Sequence, residues 1–345
     1  MEARTFAVAA IPTLWSEAEA RGWKRARHIL RAPEIEGIAL DGDGSRLVAT
    51  GAGHLFAYDG RTGQELAMFA LGDGSQGGWA MAAIFALAFS ADGARFVVGE
   101  TRYTEDRWRC SDLCSIHDAQ TLERRHTLPL GGSAVLALGP DSNRLAIADE
   151  DKGIEIVSAA TGQVLTRCEA REDGYVVRGM AFSPDGERLG VAWQECAVTL
   201  YDVKAGSVLC ERDEVETGGE LALGFSPDGT ALVVASNCDG RHDPVAQVVT
   251  LRSGKVRRLP RLREAYLPLR VDAARGEVLW RLDPRGGRTD GDWLLRQGLR
   301  PKQPPTTLSV PPGGAADGAH VAVSGDGSRI AVALGTAITM STLPR

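Results

Sequence analysis

Short apolar runs recur along this chain, each separated from the next by a polar turn of similar make-up. Ile84-Phe85-Ala86-Leu87-Ala88-Phe89, Phe96-Val97-Val98 and Leu189-Gly190-Val191-Ala192 are typical runs. Runs of this length, bounded by Asp, Gly, Pro and Ser, read as strands. Between paired runs stands one phrase. Phe182-Ser183-Pro184-Asp185-Gly186 returns as Phe225-Ser226-Pro227-Asp228-Gly229. It returns in altered form as Phe89-Ser90-Ala91-Asp92-Gly93, Leu138-Gly139-Pro140-Asp141-Ser142 and Val323-Ser324-Gly325-Asp326-Gly327. Asp-Gly between two apolar runs is a strong hairpin signal, because glycine reaches positive φ without steric cost.

Aligned on that phrase, the copies define a unit of four strands, a to d. Strand a precedes the Asp-Gly turn and strand b follows it. Strand c ends in an aromatic-Asp or related pair, as in Tyr58-Asp59, His117-Asp118 and Tyr201-Asp202. A Thr-Gly or Ala-Gly turn (Thr62-Gly63, Thr161-Gly162, Ala205-Gly206) then leads into strand d. Strand a is expected to begin near residues 35, 84, 133, 177, 220, 266 and 319. The spacings, roughly 43–53 residues, are those of a propeller repeat with insertions. The expected fold is therefore all-β: a seven-bladed β-propeller of four-stranded antiparallel blades. The sixth copy is the most degenerate. Its turn reads Asp272-Ala273-Ala274-Arg275-Gly276, and its strands Val278-Leu279-Trp280 and Trp293-Leu294-Leu295 are inferred from position.

The last copy supplies only strands a, b and c. An unassigned strand, Arg27-His28-Ile29-Leu30, lies just before the first strand a and is expected to complete the last blade. Sewing the two ends into one blade removes an open edge and locks the ring. Residues 1–23 then form an N-terminal extension, with room for a further strand or short helix, and residues 24–345 a single propeller domain.

These features resemble the WD-repeat (WD40-like) β-propellers over about residues 27–345: the Ser-Pro-Asp-Gly hairpins, the Tyr-Asp ends of strand c and the Thr-Gly turns. No blade has a true Trp-Asp, and no Gly-His pair precedes a strand a. The family's Asp-His-Ser/Thr-Trp networks should then be mostly missing, leaving the blades to rely on apolar packing. What the resemblance implies is a scaffold that holds a protein or peptide partner without catalysis. Lactonase-like and TolB-like propellers share the Ser-Pro-Asp-Gly turn, so that phrase does not separate them.

Composition narrows the picture. The chain has 345 residues, is 43% hydrophobic and carries a net charge of −6. An acidic balance argues against generic nucleic-acid binding. No apolar run approaches the roughly 18 residues of a membrane helix. Phe6 to Ile11 is apolar, but Pro12 interrupts it, so no signal peptide is expected. The six cysteines show no disulfide spacing, which fits reduced thiols in a cytoplasm. Abundant Ala, Gly and Arg hint at a high-GC bacterial source.

In this strand order the b–c and d–a connections share one face of the ring. Most of the long connections fall there: 71–82, 100–109, 211–219, 237–244 and 284–292, with 297–318 leading back to it. Function tends to sit in loops on a rigid scaffold, so this face is expected to bind the partner. Glu169, Glu172, Asp173, Glu211, Asp213, Glu214 and Glu216 make it acidic around the fourth blade and would steer a basic partner. Trp79, Tyr103, Trp108 and Tyr175, with Arg102, Arg107 and Arg109, are the expected anchors. The basic run Arg252, Lys255, Arg257, Arg258, Arg261, Arg263 falls on a c–d turn and outer strand, where charge blocks edge-to-edge pairing.

Catalytic motifs are scarce. There is no phosphate-binding Gly loop with its Lys and no Gly-x-Ser-x-Gly elbow. Asp41-Gly42-Asp43-Gly44-Ser45 starts like a calcium loop, but the twelfth position is Ala52 and the segment is a hairpin turn. Cys110, Cys114 and His117 lack a fourth zinc ligand. One enzymatic alternative stands. Glu36, Glu220, Glu264 and His320 lie near strand a entries, where a divalent cation could activate water for a lactonase-like hydrolysis. The leading expectation is a cytoplasmic, non-catalytic scaffold without a cofactor. It would be monomeric by itself and join a hetero-complex with a protein partner, not with nucleic acid or a membrane.

Overall fold

The computed structural model describes residues 3–7, 35–51, 53–71, 79–90, 92–104, 110–131, 134–149, 152–169, 176–194, 196–237, 244–262, 265–272, 275–282, 292–300, 303–309, 320–334 and 337–342. An N-terminal strand, β1 (Ala3–Ala7), is followed by four-strand groups, each forming one antiparallel sheet in chain order. The first is β2 (Gly37–Leu40), β3 (Arg46–Gly51), β4 (His54–Asp59) and β5 (Glu65–Ala70). Next are β6 (Trp79–Phe89), β7 (Arg95–Thr104), β8 (Cys110–Asp118) and β9 (Arg124–Leu130). Then come β10 (Val135–Leu138), β11 (Arg144–Asp149), β12 (Gly153–Ser158) and β13 (Val164–Arg167). After them lie β14 (Val177–Phe182), β15 (Arg188–Trp193), β16 (Ala197–Asp202) and β17 (Val208–Asp213). They are followed by β18 (Glu220–Phe225), β19 (Ala231–Asn237), β20 (Val245–Thr250) and β21 (Val256–Arg258). Then β22 (Ala265–Asp272), β23 (Glu277–Leu282), β24 (Asp292–Gly298) and β25 (Thr306–Ser309) form a sheet. Finally β26 (His320–Val323), β27 (Arg329–Leu334) and β28 (Ala337–Thr342) form a sheet with β1 outermost. This is a β-propeller of four-stranded antiparallel blades.

The inner strands are the first of each group: β2 packs against both β6 and β26, and β14 against β10 and β18. The second strands carry consecutive apolar residues at their centres because they are buried on both faces. Leu47 faces a cluster shared with β27 and β28, and its neighbour Val48 faces one shared with β7. Val97 packs with Leu145 and Ile147 of the next sheet, and Ala146 with Leu189 and Val191 of the one after. Leu232 lies with Val198, and Val233 with Val278 and Trp280. Leu279 meets Val323 and Ile330, which closes the circuit. Successive side chains of a strand point to opposite faces, so each apolar pair serves two seams at once.

The repeated turn phrase has a physical basis. In four sheets the serine hydroxyl donates to the aspartate two residues on: Ser90 to Asp92 at 2.7 Å, Ser183 to Asp185 at 2.5 Å, Ser226 to Asp228 at 2.6 Å and Ser324 to Asp326 at 2.6 Å. The same serine oxygen accepts the backbone N–H that opens strand b, as from Arg188 at 2.9 Å. The next residue after the aspartate takes positive φ, for example Gly186 at 71°. In sheet β10–β13 Ser142 fills that place at 57°.

Closure follows the expected principle with a different segment. β1 pairs with β28 from Ala3 opposite Ser341 to Ala7 opposite Ala337. The expectation that Arg27–Leu30 completes this blade is therefore corrected; those residues lie outside the described ones. Two short strand-like segments compete for one edge, and sequence proximity to β2 does not rank them. Long-range pairing with β28 does. A second correction concerns sheet β6–β9. Residues 100–104, expected in a loop, extend β7, and Trp79 begins β6 opposite Thr104. The β-favouring Thr101, Tyr103 and Thr104 lengthen the hairpin there.

Candidate functional site

The acidic segment after β17 is held by contacts that local sequence does not announce. Val215 is wholly buried and joins the seam with Phe225 and Leu232. Glu216 is fixed at three points. Its N–H donates to Gln247 Oε1 at 2.7 Å, its carbonyl accepts from Ser236 Oγ at 2.8 Å, and its carboxylate meets Arg258 at 2.6 Å. The Thr217 hydroxyl donates to the Trp193 carbonyl. Gly219 sits at φ 63°, and a Cβ there would fall 1.8 Å from the Asn237 carbonyl oxygen, so only glycine fits. Arg178 donates to the Gly219 carbonyl at 2.8 Å.

Glu211 and Asp213, expected in the connection, lie instead at the end of β17, and with Glu214 just after it they are exposed. Glu214 holds φ 63°, a left-handed conformation unusual for a side-chain-bearing residue. Glu169, expected in the same patch, is tied to the outer strand instead: its carboxylate accepts from Val208 N–H at 3.2 Å. Its carbonyl accepts from the Tyr201 hydroxyl at 3.2 Å. The structure thus brings Glu211, Asp213, Glu214 and Glu216 to one edge and gives Glu216 a cation of its own. Glu172, Asp173, Tyr175, Arg107, Trp108 and Arg109 lie outside the described residues. Trp79 lies on β6, and Arg102 and Tyr103 lie on β7, not in loops. Tyr103 stands opposite Met81 and Cys110.

The channel-mouth candidates are dispersed over several sheets. Glu36 precedes β2 and its N–H donates to the Thr50 carbonyl at 2.7 Å. His320 opens β26; burial holds its imidazole below the usual range, against a bond with the Ile35 backbone. Glu220 is exposed at the start of β18, and Glu264 lies outside the described residues. Among the described residues no group of three or more His, Cys, Asp or Glu side chains is placed to hold a metal ion. Among the described residues no helix is long and apolar enough to cross a membrane.

His117, which precedes Asp118 at the end of a strand c, is a core residue. Its Nε2 meets Ser115 Oγ at 3.0 Å, its Nδ1 meets the Leu122 carbonyl at 3.3 Å, and its ring stacks on Phe96 with centroids 4.8 Å apart. Burial pulls its pKa to about 4. Cys114 beside it is wholly buried, and burial pushes its thiol up to about 12. Both values disfavour thiolate or imidazolium chemistry at neutral pH.

Sequence reasoning missed Arg258 and Gln247 as members of the acidic edge. Arg258 was assigned to edge protection, and Gln247 carries no motif. Their pairing across β20 and β21 places both near Glu216. No family model matches this sequence, and no curated protein matches it. Among solved structures, a chain of the mitotic checkpoint complex crystal structure superposes with a TM-score of 0.67 at 12% identity. The match covers 99% of this chain and 91% of that one. At this identity the likeness shows the fold, which is WD40-like.

Proposed function

We propose that this protein is a non-catalytic interaction scaffold, a seven-bladed WD40-like propeller that binds a protein or peptide on its b–c/d–a face. The observation that carries this reading is the braced segment from Glu214 to Gly219, fixed through Val215, Gln247, Ser236 and Arg258 while Glu211, Asp213 and Glu214 point outward. A rigid loop that presents charge loses little entropy on binding. An acidic edge raises the encounter rate of a basic partner. WD40-like propellers typically serve as protein-interaction scaffolds. The protein would work in the cytoplasm as one subunit of a hetero-complex.

The test compares capture from source-cell lysate by wild type and by a variant carrying Glu211→Lys, Asp213→Lys and Glu214→Lys. These three positions are exposed, so the variant should fold. A partner retained by wild type and lost by the variant supports both the scaffold and its face. A partner bound equally by both places the site elsewhere. Turnover of a lactone or ester by the purified chain would overturn the non-catalytic reading.

A further inference from the structure

The opposite face of the ring, made of a–b and c–d turns, carries an arginine at the start of most second strands. The register shows what each one faces. Arg46 is opposite Asp59, Arg95 opposite Asp118 and Arg188 opposite Asp202. The ion pairs run to the turn aspartates: Arg188 pairs with Asp185 at 3.1 Å, and Arg144, which stands opposite Ser158, pairs with Asp141 at 3.1 Å. In the last sheet Arg329 faces Thr342. Among the described residues no carboxylate lies within ion-pair distance of Arg329. Its turn aspartate, Asp326, is engaged by Ser324 Oγ at 2.6 Å, Ser328 N–H at 2.9 Å and Ser328 Oγ at 2.7 Å. Arg329 Nη1 donates to the Gly60 carbonyl at 3.0 Å, which holds the guanidinium in place without neutralising it.

Arg329 and Thr342 line a cleft of about 780 Å³ between this sheet and sheet β22–β25. Arg275, Arg296, Glu277, Asp326 and Ser328 complete the lining. Arg296 and Glu277 neutralise one another through two bonds, at 2.6 and 2.8 Å. The lining holds three arginines and two carboxylates, and Arg275 lies in the fields of both Asp326 and buried Asp272, so among the described residues the cation of the lining without an ion pair is Arg329. Buried Asp272 lies behind Arg275 and outside the lining, accepting the Arg275 backbone N–H at 3.1 Å.

We propose that this cleft binds a phosphate monoester dianion. Guanidinium groups carry donors in a fixed fork that suits phosphate oxygens, and the Thr342 hydroxyl adds a donor to a third oxygen. A carboxylate has only two oxygens to offer them. The volume exceeds that of a bare phosphate and suits a phosphate with a body attached, either a phosphorylated side chain or a small phosphorylated compound.

The substitution that tests this is Thr342→Asp, which restores the carboxylate found opposite the arginine in three other blades and should fold well. Thermal shift and calorimetry would use inorganic phosphate, a phosphoserine peptide and its unphosphorylated form, at constant ionic strength. Wild type should be stabilised by phosphate over chloride, and Thr342→Asp and Arg329→Gln should each weaken binding at least about tenfold, the effect of losing one charge-assisted contact. Tighter binding of the phosphopeptide than of inorganic phosphate supports a peptide source; equal binding supports a small phosphorylated compound. Phosphate binding unchanged in Thr342→Asp, or absent from wild type at millimolar concentration, overturns the proposal.

Discussion

Glu216 and Arg258 meet at 2.6 Å, joining the loop after β17 to the outer strand of the following sheet. Their side chains remain 24% and 55% exposed, so solvent screens the pair. Partly exposed pairs of this kind are worth about 0.2–1 kcal/mol. A double-mutant cycle with Glu216→Gln and Arg258→Gln should give a coupling energy in that range, shrinking as salt is added. Gly219→Ala should cost much more, because its Cβ has no space beside the Asn237 carbonyl. Chemical denaturation of these variants would check the ranking. An equal or larger effect from the ion pair would mean that charge, and not backbone fit, braces the loop.

The hydroxyl–carboxylate bond in the turns accounts for a second expectation. Asp185 and Asp228 are each held at about 2, in both cases first by their serine hydroxyl. Their native pKa lies below the ordinary 3.8. The stability they contribute is therefore present above pH 3.8 and lost as pH falls toward 2. Ser183→Ala should lower stability by about 1 kcal/mol, the usual net value of a buried hydrogen bond. It should also flatten the acid limb of the stability curve between those pH values. Denaturant midpoints measured from pH 5 to 2 would decide, and an unchanged acid limb would remove the serine as cause.

The contrast between these two sites explains what was legible in the sequence. Ser183 and Asp185 are two residues apart, so the turn and its hydrogen bond follow from local geometry. The strand positions follow in turn, because each turn fixes where the flanking strands begin. Sheet β22–β25 was placed correctly around Val278 and Leu294 although its turn has lost the serine. Glu216 and Arg258 are paired only through the register of β20 and β21 and the neighbouring loop, which no short-range pattern encodes. The closing strand failed for the same reason: β1 and β28 sit at opposite ends of the chain, and several short segments satisfy the same strand pattern. Tyr103 was assigned to a loop because a long connection was expected there, whereas β-favouring residues extended the hairpin through it.

His117 should make the fold acid-sensitive at milder pH than the turn aspartates do. Its pKa is near 6.5 when unfolded and about 4 when folded. The unfolded chain binds the proton more readily, so stability is complete above pH 6.5 and falls as pH drops toward 4. The loss amounts to about 3 kcal/mol at most, from about 1.4 kcal/mol per pH unit of displacement. His320 is displaced in the same direction and adds to the effect. His117→Gln should lower stability at pH 7, where the ring's stacking and hydrogen bonds are lost. It should also reduce the slope between pH 6.5 and 4. A slope identical in wild type and variant would assign the acid sensitivity to other groups.

Cys196 offers a substitution that should strengthen the protein. It holds φ 58° in the tight turn between β15 and β16, while the corresponding turns of sheets β2–β5 and β10–β13 use Gly53 at 73° and Gly153 at 75°. The left-handed region costs an L-residue roughly 1–2 kcal/mol that glycine escapes. Glycine gives back part of this through the greater freedom of its unfolded chain. Cys196 is exposed, so removing its side chain sacrifices little packing. Its carbonyl, which accepts the Val215 N–H at 2.9 Å, is kept in the variant. Cys196→Gly should therefore gain about 0.5 kcal/mol, the remainder after that entropy cost. Cys196→Ala keeps the strained φ and should gain nothing. Denaturant titration of both variants separates the two causes, since equal gains would trace the effect to loss of the thiol and not to relief of the backbone.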